Sequence, residues 1–442
     1  MSPEAFTLVI ITCLIAMLAL GFPIAIALGL LSFGGVAYVT GNFDTALSIL
    51  STTSYEALRD YIFAVIPLFI LMGEFVARSG AASDLYNSIN RAMTRVPGRL
   101  AVATVLGNAV FAAVVGVSVA SAAAFSRIAY PAMCREGYDK TISLGCIAGS
   151  SALGMLIPPS VLMIVWGVLT ELSIGKLFMA GFVPGFALAG MYALFCVCYA
   201  LFCPDLFGGR EASLAKKTGY KPPPLTASEL VGTFGCLALI VLVLGGIWLG
   251  WFTPTEGAGM GALLALVLAM AKGMRWHGIL EVISETGRTS APILFLLIFA
   301  QMYSRLLAIG GVGGVIKSFI FGTGLSPAMI VAAMVLVWFI LGMFIDSVSI
   351  ILLTVPIFAP IASTIGIDPI AYAIIGILSI EAGIITPPFG LAVFTVKACI
   401  NDPDVRLGQI FLGAMPYWVM LLVLAGAIYI WPGLATWLPS VT

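Results

Sequence analysis

The sequence predicts an all-α polytopic membrane protein built from two related halves. Composition is the first reason: 61% of the 442 residues are hydrophobic and 9% charged, against about 25% charged in soluble domains. The second is the recurrence of apolar stretches from residue 5 to residue 432, most close to the roughly 20 residues that cross a hydrocarbon core. The third is a pair of twin prolines inside apolar runs, in GSSALGMLIPPS at 149–160 and LSIEAGIITPPFG at 378–390. Proline removes a backbone donor and breaks a helix, and broken backbone at membrane depth persists only where protein or a water-filled cavity surrounds it.

The apolar stretches fall at 5–38, 61–77, 100–126, 141–169, 177–203, 230–252, 256–271, 290–308, 328–360, 370–400 and 408–432. Several exceed one crossing and are expected to hold two short helices or a re-entrant hairpin. The first run follows MSPEAF with no basic n-region, so it is expected to be a membrane helix and not a cleaved signal peptide. The 78–99 connection carries Arg78, Arg91, Arg95 and Arg99, which predicts the cytoplasmic face. Its partly amphipathic pattern predicts an interfacial helix. The stretch near 272–288, with Lys272, Arg275, His277 and Arg288, reads the same way. Residues 204–229, rich in Gly, Pro and Lys/Arg, read as a polar central linker. It separates an N-terminal membrane half, 1–203, from a C-terminal one, 230–442. Arg210, Lys216, Lys217 and Lys221 assign it to the cytoplasm. In GWFTPTEGAGMGALLAL, Thr253, Pro254 and Glu256 form a capping box that starts a helix.

The halves match one another in order. Pro67 pairs with Pro292, Gly80 with Gly310, Pro97 with Pro327, and Ser118 with Ser347. Gly137 and Asp139 pair with Gly366 and Asp368, and the twin prolines pair too, most at an offset of 229 residues. Internal repeats of this kind are the usual basis of alternating access in secondary transporters. The residues themselves leave open whether the repeats are parallel or inverted.

Four segments carry candidate chemistry. GNAVFAAVVGVSVASAAAFSRIAYP, 107–131, is built of small residues, with Gly116, Ser118 and Ser121 at the tip of a candidate hairpin. Small residues let backbones approach closely, so a packing face and an ion site are both open readings. Its mate, 341–360, holds Asp346 and Ser347 in an apolar run. A carboxylate there is either functional or an N-cap. Gly149, Ser150 and Gly154 precede Pro158 and Pro159; Glu381, Gly383 and Thr386 precede Pro387, Pro388, Phe389 and Gly390. Freed carbonyls and hydroxyls without a Cys/His cluster suit a hard cation such as Na⁺, and exclude a transition-metal site. Helix N-termini at the breaks favour a carboxylate substrate. The zero net charge argues against nucleic acid. Eight scattered cysteines read as small buried hydrophobes. No phosphate-binding Gly-rich loop and no serine-hydrolase elbow is present, so neither an enzyme nor a cofactor is expected.

GSSALGMLIPPS, FTPTEGAGMGALL, GMFIDSVSI, EAGIITPPFGL and the C-terminal MPYWVMLLVLAGAIYIWPGLATWLP together resemble the large membrane subunit of tripartite ATP-independent periplasmic (TRAP) transporters, over essentially the full length. The resemblance implies a bacterial or archaeal inner-membrane importer driven by Na⁺. It also implies inverted repeats, two re-entrant hairpins and discontinuous helices, arranged as a scaffold plus an elevator-type transport domain. The implied partners are a separate small four-helix membrane subunit and a periplasmic substrate-binding protein. The implied substrates are organic acids such as C4-dicarboxylates or sialic acid. One implied Na⁺ site joins Gly116–Ser121 to Gly149–Gly154, and a second joins Gly342–Ser347 to Glu381–Thr386. Phe389 stands where a small aliphatic residue is frequent, which implies a less polar substrate region. A stand-alone carboxylate carrier is the alternative, followed by a membrane enzyme or scaffold. The former needs no binding protein, and the latter would lack the matched breaks.

Overall fold

A computed structural model describes residues 1–209, 226–400 and 402–441. Arg210, Lys216, Lys217 and Lys221 of the central linker lie outside the described residues. Within them every regular element is helical. Among the described residues, eight helical stretches are long and apolar enough to cross a bilayer, and six shorter apolar helices accompany them.

The N-terminal half runs α1 (Pro3–Ala19), α2 (Ile24–Thr40), α3 (Phe43–Arg59), α4 (Val65–Arg78), α5 (Ala81–Ala92), α6 (Arg99–Val115), α7 (Ser118–Arg135), α8 (Lys140–Ser151), the single turn α9 (Leu153–Leu156), α10 (Val161–Thr170) and α11 (Ile174–Phe202). The C-terminal half runs α12 (Ala227–Trp248), α13 (Pro254–Ala271), α14 (Trp276–Ile309), α15 (Val312–Gly322), α16 (Pro327–Gly342), α17 (Ser347–Thr364), α18 (Pro369–Gly383), α19 (Leu391–Cys399), α20 (Leu407–Ile430) and α21 (Gly433–Val441). The over-long apolar stretches divide where breakers stand. Residues 100–126 split at Gly116, 328–360 split before Ser347, and 141–169 and 370–400 split at the twin prolines.

Local geometry recurs at the 229-residue offset. Asp139 caps α8 by accepting from Thr141 N and Ile142 N, and Asp368 caps α18 by accepting from Ile370 N and Ala371 N. Gly137 and Gly366, two residues earlier, have φ of 72° and 78°, a region open to glycine at no steric cost. Both Pro158–Pro159 and Pro387–Pro388 bonds are cis. The recurrence extends beyond the landmarks visible in sequence. Leu20 and Leu249 end α1 and α12 with the same φ −79°, ψ −1°, and Gly21 and Gly250 follow at φ 83° and 73°.

The packing is reciprocal across the halves. α7 packs on α19 while α10 packs on α17, and α4 packs on α13 while α14 packs on α2. Swapping each element for its counterpart leaves these pairings unchanged, as for a self-complementary two-fold interface. Direction follows from end contacts. Arg78, at the end of α4, pairs with Glu281 near the start of α14 at 3.1 Å. Val65, at the start of α4, shares a cleft with Gln301 late in α14. The span of α14 that carries Pro292 therefore runs antiparallel to α4, which carries Pro67.

One expectation changes. The 272–288 stretch is not a connection of its own: all but its first four residues form the start of α14, a continuous 34-residue helix. In its second turn, Glu281 pairs with Arg78 of α4 and with His277. The 78–99 link does hold a short amphipathic helix, α5, which buries Ala81, Ala82, Leu85 and Tyr86.

Candidate functional site

Each half builds a helical hairpin whose tip meets a proline break. In the first, the 17 residues of α6 and 18 of α7 span about 26 Å each at 1.5 Å per residue, short of the roughly 30 Å hydrocarbon core. Arg99 and Glu136 pair at the base of the two arms, so the arms run antiparallel and both bases lie on the same side. Its tip is Gly116, at φ 67°. A Cβ there would lie 2.5 Å from the Pro159 carbonyl oxygen, and Val161 N donates to Gly116 O at 3.2 Å. Gly154 faces Ser118, whose Cα and N would both stand 3.0 Å from an added Cβ. In the second half, Gly342 and Gly383 meet backbone to backbone, with each added Cβ less than 3 Å from the other's Cα. Gly390 N donates to Met343 O at 3.4 Å. These glycines permit close approach of carbonyl-bearing backbone; Gly149 instead packs against the Tyr417 ring of α20.

The polar side chains form two linked groups. Ser121 Oγ donates to Asn108 Oδ1 at 2.7 Å, Asn108 Nδ2 donates to Ser150 Oγ at 2.6 Å, and Ser150 Oγ donates to Cys146 O at 2.6 Å. All three side chains are buried. This chain ties hairpin arm α7 to α8 through Asn108 of α6, a residue the sequence reading passed over. Its signal was a single amide in an apolar stretch, where polar groups carry a cost. Asp346 acts as the N-cap of α17, accepting from Ser349 N at 3.0 Å and Ser349 Oγ at 2.5 Å. Thr386 Oγ donates to Ala382 O at 2.7 Å.

The second group centres on Glu381, 0% exposed. Ser347 Oγ donates to its Oε1 at 2.9 Å. Ser118 faces the same carboxylate. Yet Ser118 Oγ and Glu381 Oε2 each lack a hydrogen-bond partner of proper geometry among the described residues. Ser118 and Ser347 are the first residues of α7 and α17, so two helix N-termini, each favouring negative charge, flank one acid. Among the described residues, no cationic side chain acts on it. Residues assigned to two separate sites, Ser118 to one and Ser347 with Glu381 to the other, thus stand together at one carboxylate. Beside them, Phe389 is 57% exposed and its ring lies 5.9 Å from Phe344 and 6.5 Å from Phe394. Of the prolines, Pro158 and Pro159 are buried, whereas Pro387 and Pro388 are exposed.

Against this geometry, residues 11–434 match the family described as Tripartite ATP-independent periplasmic transporter, DctM component. The chain belongs to that family. It is therefore the large permease subunit of a TRAP transporter, a multi-pass membrane protein and not an enzyme. The C4-dicarboxylate TRAP transporter large permease protein of Pseudomonas aeruginosa is 35% identical over 393 residues, covering 88% of this chain and 89% of that one. The ectoine TRAP transporter large permease protein of Halomonas elongata is 28% identical over 439 residues, 98% of each. The fold of the YdaH transporter of Alcanivorax borkumensis is similar at a TM-score of 0.60 and 16% identity, covering 88% of this TRAP permease and 89% of that chain.

Proposed function

We propose that this TRAP permease imports an organic acid by Na⁺-coupled elevator movement between inverted repeats, with a separate small membrane subunit and a periplasmic binding protein. The C4-dicarboxylate relative supports a carboxylate substrate. The ectoine relative widens the class to small polar solutes that bear a carboxylate. Reciprocal packing of α7 on α19 and α10 on α17, together with the antiparallel course of α4 and α14, supports inverted repeats.

The observation that carries the coupling is Glu381. A buried carboxylate without a partner cation is expensive, and its Oε2 lies unpaired with Ser118 Oγ beside it. Glu381, Ser118 and Ser347, together with carbonyls near Gly116, Gly154, Gly342 and Gly383, would hold Na⁺ with oxygen ligands only. Bound Na⁺ supplies the positive charge that this site lacks. The substrate carboxylate would then bind near the helix N-termini at the breaks, with Phe344 and Phe389 against its apolar part.

The test is uptake into proteoliposomes with partner proteins present or absent and with Na⁺ or K⁺ outside. Uptake that needs Na⁺ and the binding protein is expected. Equal uptake in K⁺ sinks the coupling, and uptake without the binding protein indicates a stand-alone carrier.

A further inference from the structure

A cavity of about 360 Å³ lies where α10, α17 and the start of α18 meet α14, within the range typical of small-molecule sites. Its walls are Trp166, Tyr372 and the rings of Pro356, Pro360 and Pro369, with Ser304 of α14 closing one side. Trp166 is 1% exposed, and its indole N–H makes no hydrogen bond with the described residues. Buried tryptophans normally place that donor on an acceptor. The neighbouring Trp338 does so, donating to Thr354 Oγ1 at 2.7 Å. The two indoles and Tyr372 form one rigid cluster, with centroids 5.3 to 6.0 Å apart.

The lining contains no charged side chain. An adjoining cleft, which shares Leu172, carries Asp60 and Glu171 and no Lys or Arg. Organic anions are therefore disfavoured on both sides. The cavity is also not one half of a symmetric passage. At the 229-residue offset, Trp166, Tyr372 and Pro356 correspond to Thr395, Ser143 and Arg127, so the other half has neither the aromatic walls nor the proline.

We propose that this cavity is a binding site for an uncharged, ring-bearing small molecule with one acceptor oxygen, distinct from the organic-acid site. The ring stacks on Trp166, Tyr372 and the prolines, and the oxygen accepts from the Trp166 N–H. Because α14 faces α10 and α17 across the cavity, an occupant bridges them and opposes their relative movement. That consequence rests on the elevator reading; the binding itself does not.

The test uses three probes of one shape on the full-length chain in detergent: acetophenone, α-methylstyrene, which lacks the acceptor, and benzoate, which is anionic. Saturation-transfer NMR reads binding directly. Acetophenone is expected to bind saturably, α-methylstyrene about fivefold more weakly for the loss of one hydrogen bond, and benzoate not at all. Trp166→Phe should remove the difference between the first two, and Ala359→Phe should abolish both by filling the cavity. Succinate should not compete. Non-saturable binding, equal binding of benzoate, or unchanged binding in Ala359→Phe overturns the proposal. Binding without any effect on uptake would refute the bridging consequence and leave the site standing.

Discussion

Replacing Glu381 by glutamine removes an ionisable carboxyl group from a fully buried position and changes almost nothing else in shape. The carboxylate accepts one hydrogen bond, from Ser347 at 2.9 Å, and a glutamine oxygen can keep it. What is lost is attraction for a bound cation. Two unit charges 4 Å apart at an effective dielectric of 20 attract by about 4 kcal/mol, close to a thousandfold in affinity. The amide oxygen remains as a neutral ligand, so the apparent Na⁺ affinity should fall by about tenfold to a thousandfold. The fold should not suffer, because an unpaired buried charge is itself costly; the thermal midpoint in detergent should stay level or rise. The assay is initial uptake as a function of Na⁺ with the partner proteins present, paired with thermal unfolding of the same preparation. A glutamine variant with the wild-type Na⁺ dependence would refute the assignment of Glu381. A variant that simply unfolds would show the carboxylate to be structural and refute it equally.

Two further substitutions probe the framework around that acid. Gly116→Ala places a Cβ at φ 67° and 2.5 Å from the Pro159 carbonyl oxygen. Left-handed backbone costs about 1–2 kcal/mol and overpacking about 1–3 kcal/mol, so a lowered unfolding midpoint and reduced uptake are expected; an unchanged midpoint would contradict the tight tip. Asp402 joins Tyr130 of α7, at 2.8 Å, and Lys140 of α8, at 2.8 Å, to the α19–α20 connection. Lys140 first, then Tyr130, holds its carboxyl below the usual carboxylate range. Since its folded value is the lower one, its stabilising contribution is full above about pH 4 and disappears as pH falls through that lower value. Asp402→Asn should therefore weaken the protein at neutral pH and converge with wild type in acid, read by intrinsic fluorescence across pH; parallel curves at every pH would rule the interaction out.

Much of the fold was legible because breakers act locally. Twin prolines, the Thr253–Glu256 capping box and the Gly-Asp turns each determine nearby backbone whatever surrounds them. The continuous α14 was not legible, since charges near Arg275 and Arg288 read as a connection when helical periodicity continued beneath them. The site was half legible. Hydroxyls and glycines in broken apolar segments marked Ser118 for one candidate site, and the family resemblance joined Ser347 to Glu381 in another. Their convergence is tertiary, bringing residues from opposite halves together with no linear spacing to announce it. Asn108 was missed for a related reason: its partners, Ser121 and Ser150, lie on two other helices.

The repeat makes the placement of charge informative. Ser118 and Ser347 occupy equivalent positions and approach one carboxylate, but the position equivalent to Glu381 is Ala152. A two-fold arrangement with an acid in each copy would bring two carboxylates toward one apolar interface, where one would have to stay protonated. With one acid and one alanine, a single carboxyl group stands beside both hairpin tips. On the proposed reading, a cation bound there would contact elements of both halves and so would bind best when the two tips are closed on their breaks together. Under that arrangement the halves cannot load independently, and Ala152→Glu, which restores the second acid, should uncouple uptake from Na⁺ more severely than Ala152→Gln, a residue of the same size without the charge. Equal effects of the two substitutions would mean that volume, and not charge, governs the junction.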